Sequence, residues 1–359
     1  MNERLTLEKL GYDSSVDELR LGSGANLNQI ARVTAEHKGV YEVISIDGEC
    51  RATVTGKRML TASSRSDYPA VGDWVIIKDD ASDAKVIDDI LPRRTMLRKK
   101  YGGKDQAQLI AANVDVVFIV ESIDRDYSLN RFERYLVLAR EGGIRPVIIL
   151  NKSDLIDEAD LNIKIEEIHE RFGDIEVLST SALSDNGLDL LKTYIKKGLT
   201  YSFLGSSGAG KSSLINKILD QDIIETSSIG EKSGRGKHTT TARQMYFTKS
   251  GSIIIDNPGS REVGIVDATI GVEEVFSGIE DIASTCRFTN CKHLKEPGCA
   301  VIQALSTGVI NSAQYENYQK LRKETAHYDL SAYGKRQKDK KFGKFVKNAK
   351  NELKNFIPD

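Results

Sequence analysis

The segment Gly205-Ser206-Ser207-Gly208-Ala209-Gly210-Lys211-Ser212 follows the apolar run Tyr201-Ser202-Phe203-Leu204 and precedes a helical stretch that begins at Ser213. Strand, glycine-rich loop and helix in that order make a phosphate-binding loop. The glycines let backbone N–H groups converge on phosphate oxygens, and the helix N-terminus adds partial positive charge. Lys211 is then placed to reach the β- and γ-phosphates, and the Ser212 hydroxyl to ligate Mg2+. Such a loop needs a sheet whose strands present their carboxyl ends to one crevice.

The remaining sequence supplies that sheet. Residues 114–120, 146–150, 175–178, 201–204 and 253–255 read as buried strands, and helices are predicted over 129–141, 157–172, 188–197 and 213–219. Continuous apolar strands separated by helical segments predict a doubly wound α/β domain over 113–270. Upstream, short β-rich runs at 30–34, 39–46, 50–54 and 73–77 alternate with turn residues, which predicts a small OB-like β-barrel over 30–95. That barrel either binds an oligonucleotide or serves only packing; Trp74 is expected in its core and Cys50 as a small buried hydrophobe. Residues 1–29 are read as an acidic extension. The basic cluster Arg93, Arg94, Arg98, Lys99, Lys100 and Lys104, in a segment with Pro92 and the pair Gly102-Gly103, reads as a domain boundary, with residues 96–112 as the linker.

The chain has 359 residues, 40% of them hydrophobic, which is enough apolar material for two or three domains. No stretch approaches the roughly 20 apolar residues of a membrane span, and no apolar core follows the charged N-terminus, so the expected compartment is the cytosol. In a reducing compartment, Cys286, Cys291, His293 and Cys299 read as metal ligands rather than as disulfide partners. Three thiolates and one imidazole satisfy a closed tetrahedral Zn2+ site, whose role is to hold a small, mainly helical domain over 271–334. Residues 335–359 form a basic tail with interleaved Phe342, Phe345 and Phe356, either docking on RNA or simply solvated.

Guanine presents N1–H and N2–H2 donors beside an O6 acceptor, and one carboxylate can accept both donors. Asn151-Lys152-Ser153-Asp154 ends the strand 146–150, where Asp154 can take those donors, Asn151 can hold the loop and contact the base, and the Lys152 stem can cover the ring. A second loop carries Ser181 and Ala182, and the Ala182 amide can donate to O6. Further on, Asp256-Asn257-Pro258-Gly259 puts an acid at a strand end, suited to a second Mg2+ contact, with Gly259 suited to sensing the γ-phosphate. Between the two phosphate segments, residues 230–241 hold Thr239, Thr240 and Thr241 in a loop without apolar periodicity. One of these threonines is expected to close over Mg2+ and the γ-phosphate, Thr240 being our choice.

An NKxD sequence, an SA-type loop, GxxxxGKS, a threonine-rich segment and DxPG are the five guanine-nucleotide motifs, here in circularly permuted order with the base-reading pair first. With the barrel before them and the Cys/His cluster after them, the arrangement resembles the bacterial ribosome small-subunit-dependent GTPases, the RsgA (YjeQ/YloQ) family. The resemblance covers nearly all of residues 30–330. It implies a GTPase acting late in 30S maturation on 16S rRNA, as a monomer, with low intrinsic hydrolysis stimulated by the small subunit. His238 is similar in position to the histidine proposed to orient water in that family; alternatively the ribosome supplies the missing group, since Ser260 stands where Ras-type GTPases carry glutamine. His37, His169 and His327 have no constellation around them. A scaffold that uses GTP only as a conformational ligand is the second reading. A P-loop ATPase or kinase is disfavoured by residues 151–154.

Overall fold

The computed structural model describes residues 6–326 apart from 38, 57, 59–61, 63–64, 80–84, 101–106, 125–126, 225–242, 258–263 and 266–267. Strands β1 (Ile30–His37), β2 (Val40–Ser45), β3 (Gly48–Val54), β4 (Trp74–Asp79) and β5 (Lys85–Ile90) pair in the order β1-β2-β3-β5-β4. A further β1–β4 pairing closes the five strands into a barrel. Two apolar clusters use alternate residues of these strands. Ala31, Val33, Val43, Ala52, Val75 and Ile87 form one, and Ile30, Ile44, Trp74 and Ile76 belong to the other. Trp74 is therefore core, as expected, while Cys50 is only partly buried against the first cluster.

The second cluster explains a difference from the sequence reading of residues 1–29. Leu7, Leu10, Val16 and Ala25 pack into it, so the helix Ser14–Ser23 and the turn before it cover an apolar barrel face instead of extending from it. Asp13 caps that helix by accepting the Val16 N–H at 3.0 Å.

Residues 96–112 also differ from the expected linker. β6 (Met96–Lys100) and β7 (Ala107–Ala112) pair antiparallel, and Leu97, Ile110 and Ala111 are buried in the main core. Arg98, Lys99 and Lys100, which suggested a loop, lie within β6, while Arg93 and Arg94 precede it and pair with Asp73 and Asp13. Gly102, Gly103 and Lys104 lie outside the described residues.

The nucleotide sheet consists of β8 (Val116–Ser122), β9 (Arg145–Asn151), β10 (Val177–Thr180), β11 (Thr200–Leu204), β12 (Gln244–Phe247) and β13 (Ile253–Asp256), in the order β10-β9-β8-β11-β13-β12. All neighbours are parallel except β12 with β13. The central strands β8, β9, β11 and most of β13 are buried on both faces, as their apolar runs require, whereas β10 and β12 alternate. Val117, Ile119, Ile148 and Ile255 meet Phe132, Leu136 and Ala139 of the helix Leu129–Glu141 on one face. Val116, Phe118, Val147 and Phe203 meet Leu191, Leu214 and Ile215 on the other. The predicted strand at 175–178 begins two residues later, and the helix predicted to 197 ends at Tyr194.

Barrel and nucleotide sheet are hydrogen-bonded to each other. A bulge at Thr34 shifts the register of β1, whose first residues pair with β4 while Ala35 pairs with Gln244 of β12. Past the sheet come the short helices Thr269–Val275, Ser277–Ala283 and Ala300–Ser306 and a helix over residues 312–326. Their Phe276, Ile279, Val301, Tyr318 and Leu321 join the core under the helix Leu129–Glu141. Gly271 permits this approach, because a Cβ there would collide with the Val137 carbonyl.

Candidate nucleotide site and metal cluster

The chain runs from β8 outward through β9 to β10, returns to β11 beside β8, and then proceeds the opposite way to β13. The β8/β11 boundary is thus the switch point of the winding, where loops leaving the strand ends diverge and open a crevice. Residues 205–210 sit there. Gly205 and Gly210 have φ of +143° and +93°, and a Cβ on them would strike the Val120 carbonyl and the Asn151 side-chain amide respectively. Close approach of β8 and β9, as well as backbone conformation, dictates glycine at both positions.

Asn151, the last residue of β9, is buried. Its Nδ2 donates to the Ala209 carbonyl at 2.7 Å, and its Oδ1 accepts the Thr180 hydroxyl at 3.1 Å. One amide therefore braces three segments: the base loop, the phosphate loop and the end of β10. Ser181 shapes the next turn, its Oγ accepting the N–H groups of Leu183 at 3.2 Å and Ser184 at 3.1 Å, beside Ala182. Lys152 has a left-handed backbone and pairs with Asp124 at 3.1 Å; Ser153 is buried and Asp154 is exposed.

Within the phosphate loop, Ser207 and Gly208 are exposed, Ala209 is buried, and Ser212 and Ser213 lie in the first turn of the helix Lys211–Leu219. Lys211 Nζ donates to the carbonyls of Gly205 at 2.8 Å and Ser206 at 2.7 Å, which holds the ammonium over the loop. Asp256 ends β13, the neighbour of β11. Burial pushes its carboxyl up, opposed by the Lys211 ammonium and the Asn257 N–H. Asn257 donates to Ser202 Oγ at 2.6 Å and ties β13 to β11. His238, Thr239, Thr240, Thr241, Gly259 and Ser260 lie outside the described residues, as do His327 and the basic tail. His37 faces Glu42 on the surface, and His169 contacts the Gly173 carbonyl.

One residue beside the loop escaped the sequence reading. Glu121, in the last turn of pleat in β8, is fully buried; its Oε2 accepts the Ser206 hydroxyl at 3.0 Å and Arg131 at 3.2 Å. Burial pushes its carboxyl up to about 7, against the pull of Arg131, Ser206 and Lys211. The signal was present: an acid inside an otherwise apolar strand, Val116-Val117-Phe118-Ile119-Val120-Glu121.

The ligand atoms of Cys286, Cys291, His293 and Cys299 lie within 4.8 Å of one another. Cys286 Sγ and Cys299 Sγ are 3.6 and 3.5 Å from His293 Nδ1. Glu296 organises the turn between them: its carboxylate accepts the N–H groups of Lys292 at 2.9 Å, Leu294 at 2.8 Å and Lys295 at 3.0 Å. The backbone donors of Leu294 and Lys292 hold that carboxyl down at about 2. The four ligands form a set able to hold a metal ion.

Comparison with known proteins places this geometry. Residues 90–266 match the family model described as RsgA GTPase. The Small ribosomal subunit biogenesis GTPase RsgA 1 of Bacteroides thetaiotaomicron is 38% identical over 358 residues, covering 99% of both chains. That of Methanosarcina acetivorans is 40% identical over 317 residues, 88% of this chain and 84% of its own. Among solved structures, YjeQ from Thermotoga maritima superposes with a TM-score of 0.58 at 30% identity, over 82% of this chain and 96% of that one. YloQ, a circularly permuted GTPase, shares the fold with a TM-score of 0.56 at 23% identity, over 83% and 95%.

Proposed function

Since this chain belongs to the RsgA GTPase family, we propose that it hydrolyses GTP to GDP and phosphate in the biogenesis of the small ribosomal subunit. The observation that carries the reading is the Asn151 brace, which draws the NKxD loop, the Ser181-Ala182 loop and the phosphate loop to one end of the sheet. The finer assignment is ours. Asp154 accepts the guanine N1 and N2 donors, the Lys152 stem covers the base, the Ala182 amide donates to O6, and the amides of residues 205–213 cradle the phosphates.

Lys211 exchanges the carbonyls of Gly205 and Ser206 for phosphate oxygens and so carries positive charge to where negative charge develops during transfer. Ser212 and Asp256, at the ends of adjacent elements, together with Thr240 would hold Mg2+, which would neutralise negative charge developing on the β- and γ-phosphates. Gly259 reads the γ-phosphate, and His238 or a ribosomal group orients the water. With serine at position 260, intrinsic turnover is slow and the subunit stimulates it.

For the metal, zinc is our assignment. Tetrahedral bonds of about 2.3 Å to sulfur and about 2.0 Å to nitrogen give edges of roughly 3.8 and 3.5 Å; the Cys286–Cys299 sulfur separation is 3.8 Å. A set of four protein ligands leaves no open position, so the ion's contribution is structural.

The proposed partners are the 30S subunit and its 16S rRNA, contacted by the barrel and the metal domain, with the protein acting as a cytoplasmic monomer late in maturation. No helix among the described residues is long and apolar enough to cross a membrane. We divide the chain into a barrel module, the β6–β7 ribbon, a nucleotide domain to about residue 270 and a metal domain thereafter.

Steady-state GTP and ATP hydrolysis with and without isolated 30S and 50S subunits tests this. Expected is GTP-selective turnover raised by 30S alone. Tight GTP binding without stimulated turnover would instead favour a scaffold that uses GTP as a conformational ligand.

A further inference from the structure

The most unusual group near the phosphate loop is Glu121. A buried carboxylate is retained where something holds it, and here the holders belong to the loop and to one flanking helix. Ser206 Oγ donates to Glu121 Oε2 at 3.0 Å, and Arg131 Nη1 donates to that oxygen at 3.2 Å and to Ser206 Oγ at 3.1 Å. The three groups form a closed triangle. Ser206 also offers its carbonyl to Lys211 Nζ at 2.7 Å, so the triangle is one residue removed from the ammonium that meets phosphate. The other carboxylate oxygen, Oε1, is buried and has no hydrogen-bond partner among the described residues. The charged and titratable groups facing the carboxylate are Arg131 and Tyr135 from the helix Leu129–Glu141 and Lys211 from the loop.

We propose that Glu121 is a positioning residue that acts as the internal counter-anion of the phosphate loop, holding Ser206 and sharing the field of Arg131 and Lys211 until nucleotide phosphate displaces its claim on them by driving it to take up a proton. The proposal rests on the guanine-nucleotide reading of the loop. Its electrostatics are direct. Phosphate brought to the loop competes for the same two cations and repels the buried Glu121 anion, whose surroundings screen charge poorly, so the carboxylate becomes the weaker claimant. One proton then passes from solvent to a Glu121 oxygen, forming an O–H bond, and the neutral group can still accept the Ser206 hydroxyl or donate to it. Burial already brings this carboxyl up to about 7. Nucleotide binding therefore draws a proton near neutrality, and affinity falls as pH rises, by no more than tenfold per pH unit.

The test is calorimetric titration of Mg2+–GDP into the full-length protein, at several pH values around neutrality and in two buffers of different ionisation enthalpy. The wild type is expected to take up more protons per GDP than Glu121→Gln, and the variant's affinity is expected to vary less with pH. Glu121→Gln preserves shape and an acceptor for Ser206, so a purely structural role would leave the proton count unchanged. Arg131→Gln removes the cation that favours the ionised form, and is expected to move the pH-dependent fall in affinity to higher pH. Equal proton counts in wild type and Glu121→Gln overturn the proposal while leaving the nucleotide reading intact. Failure of the wild type to bind GDP at all overturns both.

Discussion

Arg32, Asp73, Glu121 and Glu133 are charged-type side chains buried inside the molecule. Three of them are fully engaged: Asp73 by Arg93 at 2.7 Å, Glu133 by Arg171 at 2.7 Å and by Asn317, and Arg32 by carbonyls and a hydroxyl. Glu121 keeps one oxygen without a hydrogen-bond partner among the described residues, and its stability signature follows. Its carboxyl is raised from 4.5 to about 7 by burial, so the folded state binds the proton more tightly than the unfolded chain. That contribution is present below the unfolded value and is lost as pH rises through the folded one. Urea denaturation should therefore show Glu121→Gln gaining on the wild type between pH ~4.5 and ~7, by up to ~3 kcal/mol; a constant difference across that window would contradict the assignment. At this scale the sequence was informative where chemistry is local. Asn151, which braces three segments, stood out from its place at a strand end and its spacing to Asp154. Glu121 and Ser206 are separated by 85 residues, and only the β8–β11 pairing makes them neighbours.

Secondary-structure elements were legible in proportion to how fully they are buried. The two-faced strands β8, β9 and β11 stand close to their predicted limits because their apolar runs have no alternative use. The β6–β7 ribbon was missed because its burial depends on a partner surface, the underside of the helix Leu129–Glu141, that local composition does not describe. Met96 donates its N–H to the Gly142 carbonyl at 3.0 Å, and Leu97 is fully buried. The same holds for the helix Ser14–Ser23, whose few apolar residues gain their meaning from the barrel face beneath them. In the metal turn, ligand spacing exposed the four ligands but not Glu296, which holds the turn through three backbone N–H groups. Glu296→Ala should leave the ligands in place yet loosen their frame, and metal affinity should fall about tenfold or more. Metal release to a chromophoric chelator measures it, and unchanged retention would mean the turn is held by the ion alone.

At the level of the whole molecule, the order of barrel, nucleotide sheet and helical Cys/His region was readable but the bonds that join barrel to sheet were not. Arg32 leaves the barrel strand β1 and donates to the carbonyls of Leu10, Gly72 and Asn113 and to the Thr200 hydroxyl at 2.8 Å, with its guanidinium 5.3 Å from the Trp74 ring. It thus binds the N-terminal segment, the barrel and the first residue of the strand that leads to the phosphate loop. Arg32→Met keeps the volume but strands those acceptors, and should cost roughly 3–5 kcal/mol. It should also uncouple the transitions: Trp74, the only tryptophan, reports the barrel by fluorescence, while far-UV dichroism weights the helices of the nucleotide and metal domains. A single shared transition in the variant would show that Arg32 is not the coupling element.

The pairing of Ala35 with Gln244 has a consequence for solubility as well as for shape. Without it, β12 would end the nucleotide sheet as an open ribbon of N–H and C=O groups, a template on which another chain can polymerise. The barrel spends one bulged strand to occupy that margin, while at the opposite margin β10 is only four residues long. The N-terminal module is thus also a selvedge, finishing the woven edge of the enzyme it accompanies.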